Sequence, residues 1–237
     1  MRIHLPGLMR ICLVSMTALL FLTACSPSVV LTIKDDASGT ARFNAEISPS
    51  SENLVRRFMG SGNAGTETQI FDRDKIIISL ARAGFKVDSL TFPTRTGIIL
   101  ALSFLKLDGL LNQAVVLNKD SKSIAVTLSA DSVNAAIDLM PPNTKDYMDL
   151  LMAPIFTGEE MTAKEYEDLI GAAYGKTLAD ELKKTVFSLT VHCPEDVTDA
   201  SINGGGNAAT LDKTAVFTIP LSTLLAMQKT LTARAEW

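Results

Sequence analysis

The feature that most constrains this chain is a short grammar repeated four times: strand, turn, strand, helix. Val29 to Lys34 and Thr40 to Ile47 alternate apolar and polar residues on either side of Asp35-Asp36-Ala37-Ser38-Gly39. Such alternation around a turn-rich pentapeptide predicts a β-hairpin, with Ala41, Phe43, Ala45 and Ile47 on one face of its second strand. Ser48-Pro49 then supplies an N-cap and a proline at the first helical position, and Leu54, Val55, Phe58 and Met59 form the apolar stripe of a helix ending at Gly60.

The pattern returns with strands over Lys86 to Phe92 and Ile98 to Phe104, followed by a short helix over Leu107 to Asn112. It returns again with strands over Val115 to Asn118 and Ser123 to Leu128 and a helix over Ser132 to Met140. In the last unit, Val186 to Cys193 and Ala215 to Ile219 are separated by a long Gly- and Asn-bearing loop, then a helix near Leu221 to Met227 and a terminal strand over Leu231 to Trp237. Hairpins alternating with helices predict an α+β fold, a mostly antiparallel sheet with its helices on one face.

Residues 141 to 185 break this grammar and read as a helical insertion. Tyr147 to Met152 is a short helix stopped before Pro154, and Thr162-Ala163-Lys164-Glu165 is a capping box whose apolar face runs through Leu169, Ile170 and Ala173 to Gly175. A second start at Thr177 extends to Lys184. Met and Tyr concentrate here, and such side chains form adaptable apolar surfaces. Met140, Tyr147, Met148, Met152, Met161, Tyr166 and Tyr174 are therefore the candidate face for an apolar ligand or a protein partner.

The first 24 residues are of another kind. They contain no Asp or Glu, place Arg2 and Arg10 early, and run apolar from Ile11, the layout of a signal peptide. Their apolar core, Ile11 to Ala24, is shorter than the roughly 20 residues that span a bilayer. The segment closes on Leu22-Thr23-Ala24-Cys25, which resembles the lipobox of bacterial lipoproteins. That resemblance implies cleavage between Ala24 and Cys25, acylation of the Cys25 thiol, and residues 25 to 237 as a single domain tethered outside the cytoplasm. In a diderm cell, Ser26 after the cysteine implies the outer membrane. Two or three acyl chains hold a protein durably, at about 0.8 kcal/mol per buried methylene.

Without the leader, the acidic excess rises from four to six. That charge counts against nucleic acid and broad anionic lipid surfaces as partners. His192 and Cys193 are the only His and, besides Cys25, the only Cys left. Strand alternation puts Cys193 with Phe187, Leu189 and Val191 on the apolar face and His192 with Ser188 and Thr190 on the polar one, so the pair diverges. The residue supply suits no zinc site and no EF-hand loop, and no cofactor is expected. Gly60-Ser61-Gly62-Asn63-Ala64-Gly65 has the spelling of a dinucleotide motif, but a helix precedes it where a strand is required, so it reads as a loop.

No hydrolase motif is present, and no catalytic residue is assigned. The chain is expected to be non-enzymatic, with a binding or structural role. Two alternatives stand beside it: an assembly factor that docks an envelope protein, and a hydrolase using Glu159, Glu160, Glu165, Glu167 and Asp168. The first hairpin, with Asp36-Ala37-Ser38-Gly39-Thr40, and the segment Ala215 to Leu221 resemble lipoproteins with an LppM-type domain. The stretch Tyr147 to Tyr174 is similar to spirochaetal, treponeme-like lipoproteins. The LppM-type resemblance implies an envelope-surface or lipid-related binding role.

Overall fold

The computed structural model describes residues 26–58, 71–107, 114–129, 160–226 and 229–237. The leader with Ala24 and Cys25, the Gly60 to Gly65 motif, the helices expected over Ser132 to Met140 and Tyr147 to Met152, and nearly all of the one expected over Leu107 to Asn112 lie outside the described residues.

The fold is α+β. The first hairpin is β1 (Ser28–Ile33) and β2 (Gly39–Glu46), and α1 (Pro49–Phe58) follows. Its turn is held by Asp36, whose Oδ1 accepts the Ser38 N–H at 2.9 Å and the Ser38 hydroxyl at 2.6 Å. These hydrogen bonds hold the Asp36 carboxyl below its usual pKa range. The residue in the left-handed region is Ala37, not Gly39. Gly39 is required by proximity instead, because a Cβ there would lie 2.1 Å from the Thr32 carbonyl oxygen and 2.7 Å from Phe104 Cζ.

Helix α2 (Arg73–Arg82) has no counterpart in the four-unit pattern. It starts at Asp72, which accepts the Lys75 N–H, and ends before Gly84 at φ +88°. Then come β3 (Lys86–Thr91), β4 (Gly97–Phe104), β5 (Val115–Asn118) and β6 (Ser123–Leu128). Helices α3 (Ala163–Tyr174) and α4 (Lys176–Lys184) match their expected places, and the capping box is present. Strand β7 (Val186–His192) opens the last unit. The expected long loop contains two strands, β8 (Asp199–Ile202) and β9 (Asn207–Leu211), before β10 (Thr214–Pro220), α5 (Leu221–Ala226) and β11 (Leu231–Glu236).

The strands form two sheets where one was expected. Seven run in the order β3-β4-β2-β1-β7-β10-β9 and four in the order β5-β6-β11-β8. All pairings are antiparallel except β1 with β7, which places Ser28 beside Ser188 at the centre of the larger sheet. The two sheets pack face to face through one core. Leu31, Leu189, Val191 and Phe217 come from the larger sheet, and Ile124, Ala233 and Ala235 from the smaller. Toward β3, the same face of the large sheet is covered by α2, through Ile76, Ile77 and Leu80 on Leu90, Leu100 and Leu102.

The remaining helices do not lie on a sheet face. Strand β2 ends into α1, α4 leads into β7, and β10 runs straight into α5, all at the same end of the large sheet. There Leu54, Tyr166, Ile170, Leu178, Leu182 and Leu225 make a second core. Glu181 of α4 ties the helices together, accepting the Ser48 hydroxyl at 2.5 Å and the Ser50 hydroxyl at 2.8 Å at the start of α1. Strand order dictates this layout: helices joined to central strands by one or two residues cannot swing over a face that the second sheet already covers.

Candidate functional site

Between the two sheets the core does not close. A cavity of about 200 Å³ remains, and every side chain lining it is apolar. Val29 and Leu31 of β1, Ala41 of β2, Phe187 and Leu189 of β7 and Ile219 of β10 form one wall. Val115, Val126, Leu128, Ile202, Leu231 and Ala233 form the other, with Phe85, Phe104 and Leu107 at the margin. The void follows from residue size. Inward positions alternate as strands demand, but Ala41 and Ala233 stand where a larger side chain would meet its opposite number.

An apolar cavity of about 150 Å³ stays dry and holds benzene, whereas pockets for drug-sized ligands begin near 300 Å³. This one falls between, with room for one slender hydrocarbon. Left empty it would cost about 5 kcal/mol, from roughly 24 cal/mol per Å³, a large part of the 5–15 kcal/mol of a typical domain. Its chemistry is therefore limited to taking up apolar matter, because no donor, acceptor or charge reaches it.

A second cavity of about 250 Å³ adjoins it, lined by Met161 and Ala163 at the start of α3, Gly204, Thr223 and Ala226 of α5, Lys229 and Leu231. Leu231 lines both. Its position depends on Gly204, where an added Cβ would lie 2.3 Å from Leu231 Cδ2 and where φ is +77°. Any side chain there would push the leucine out of place and strain the backbone.

Of the expected ligand face, the three described residues, Met161, Tyr166 and Tyr174, belong to the helical core. Met140, Tyr147, Met148 and Met152 lie outside the described residues. Tyr166 is fully enclosed in the helical core, and Tyr174 packs partly buried against that core. Of these described residues, Met161 lines the second cavity. The cavity between the two sheets is lined by none of these three described residues. Its liners, read from sequence as strand core, carried a single signal, the alanines at Ala41 and Ala233.

Of the five candidate carboxylates, Glu165, Glu167 and Asp168 are engaged in local structure and Glu160 is exposed. Glu165 accepts the Thr162 N–H at 2.8 Å, which lowers its pKa below the usual carboxylate range. Asp168 pairs with Lys164 at 2.6 Å and Glu167 with Lys183 at 3.8 Å. None of them lines a described cavity, and Glu159 lies outside the described residues. His192 is exposed with Nδ1 3.0 Å from the Thr214 hydroxyl, while Cys193 is buried on the other face and its thiol is pushed up to about 11 by desolvation. Among the described residues there is no group of His, Cys, Asp and Glu fit to hold a metal, and no helix long and apolar enough to cross a membrane.

Compared with known proteins, the chain matches no family model, no curated protein and no solved structure.

Proposed function

We propose that this chain is a bacterial envelope lipoprotein, anchored through an acylated Cys25, that binds an apolar ligand between its two sheets and performs no chemistry of its own. The observation that carries the binding role is the apolar-lined cavity of about 200 Å³ between the sheets. A void of that size is a standing cost of several kcal/mol, and an apolar guest removes it by restoring the missing contacts. The anchoring role is supported by the Leu22-Thr23-Ala24-Cys25 sequence, and the non-enzymatic reading by the local engagement of Glu165, Glu167 and Asp168.

Native mass spectrometry of the chain purified from bacterial membranes tests the binding role. A non-covalent adduct that disappears after organic extraction, with mass beyond that of the acylated polypeptide, is the expected result. An extracted protein that then takes up no hydrocarbon probe, and whose melting temperature is unchanged by extraction, overturns it. Metabolic labelling with palmitate tests the anchor: label must enter the wild-type chain and be absent from Cys25→Ser.

A further inference from the structure

The inter-sheet cavity takes no polar group, so it alone says nothing about which hydrocarbon enters. The neighbouring cavity does. It is mixed in character, shares Leu231 with the dry one, and among the described residues its lining holds one charge, Lys229, one side-chain hydroxyl, Thr223, and no carboxylate. An occupant threading past Leu231 would place its hydrocarbon end in the dry compartment and its polar end beside an ammonium and a hydroxyl. We propose that the ligand is a single-chain amphiphile with an anionic head, of the fatty-acid class, with its carboxylate at Lys229 and Thr223. This inference rests on the reading of the inter-sheet cavity as a binding site.

Size limits the chain. Scaled from six carbons in about 150 Å³, the dry compartment holds about eight, one chain and not two. A ten-carbon carboxylate therefore fills it and leaves its head in the adjoining space, while a two-chain lipid would leave one chain without a place. The overall acidic excess counts against a broad anionic surface, but one head at Lys229 is a local contact, and charge-assisted hydrogen bonds act at that range. Gly204, Gly205 and Gly206 are consecutive, with Gly205 close to Thr223 Cγ2. A side chain at Gly204 would crowd Leu231 and one at Gly205 would crowd Thr223, so both glycines keep side chains off residues that line the second cavity.

The test uses the processed, acylated chain in phosphatidylcholine nanodiscs and two ten-carbon probes carrying a diazirine at the far end, one a carboxylate and the other a primary ammonium. After illumination, peptides bearing Val29 to Leu31, Phe187 to Leu189 and Leu231 to Ala233 are quantified by mass spectrometry. The carboxylate probe is expected to label them about three- to fivefold more than the ammonium probe, the range of a solvent-accessible charge pair. Lys229 is exposed, so Lys229→Glu should leave the melting temperature of the organic-extracted protein unchanged and reverse that order. Equal labelling by the two probes, or a preference unmoved by Lys229→Glu, overturns the head-group assignment and leaves the cavity as a site. Absence of label from these peptides with both probes overturns the cavity reading as well.

Discussion

Ala233 and Ala235 are neighbours on the same face of β11, both buried, yet only Ala233 lines the cavity. Replacing each with leucine separates a void from packed core. Ala233→Leu adds three carbons to the open space, worth about 2.4 kcal/mol at roughly 0.8 kcal/mol per buried carbon. At about 2–4 °C per kcal/mol for a chain of this size, the organic-extracted variant should melt about 5–10 °C higher than extracted wild type. Ala235→Leu pushes the same group into filled space and should cost about 1–3 kcal/mol, lowering the transition. Thermal unfolding followed by circular dichroism, with urea titration to check that the m-value is unchanged, reads both. If Ala233→Leu melts at or below wild type, or if both variants move in the same direction, the void is not there and the argument for a guest goes with it. The unextracted Ala233→Leu protein should also carry less non-covalent adduct than wild type.

Glu181→Ala leaves the Ser48 and Ser50 hydroxyls without their carboxylate and should destabilise by about 1–3 kcal/mol in urea titration, with Glu181→Gln recovering part of the loss. Cys193, buried with its thiol pushed up to about 11, should resist maleimide at pH 8 in the folded protein and react fully in denaturant, as peptide mass mapping would show. The carboxyls of Asp36, Asp72 and Glu165 are held low by hydrogen bonds made only in the folded state. Their contribution to stability is thus present above the ordinary carboxylate range and lost as pH falls through their lowered folded values, so urea midpoints should decline below about pH 4. Glu165→Gln should flatten part of that decline. Gly39→Ala should prevent β2 from pairing with β1, because the new methyl meets the Thr32 backbone carbonyl; loss of cooperative unfolding is the expected outcome.

What could be read from the sequence was what neighbouring residues decide. The hairpins β1–β2, β3–β4 and β5–β6 and the capping box at Thr162 fall where alternation and turn chemistry put them. Strands β8 and β9 escaped because Asn207-Ala208-Ala209-Thr210-Leu211 has weak strand propensity and an exposed Leu211, and it is a strand only because β10 pairs with it. Helix α2 carried readable signals in Asp72 and Gly84, but its mostly half-exposed apolar stripe of Ile76, Ile77 and Leu80 acquires meaning only against β3 and β4. The division into two sheets could not be read at all, since alternation states which side of a strand is buried and not what buries it. The site suffered most, because a cavity is made by what is missing from residues far apart in the chain.

The parallel pairing of β1 with β7 has a consequence for how the protein is made. The first strand occupies the middle of the larger sheet, and its partner lies roughly 160 residues downstream, so at about 5–20 residues per second some 8–30 s of synthesis separate the two. Until β7 and β10 emerge, the opening hairpin has one side of its ladder unpaired and no inner core to close on. The core between the two sheets therefore closes late, whereas the part built from β2, β3, β4 and α2 is complete earlier in the chain. The same strand order that builds the cavity therefore leaves its walls incomplete until the chain is nearly finished.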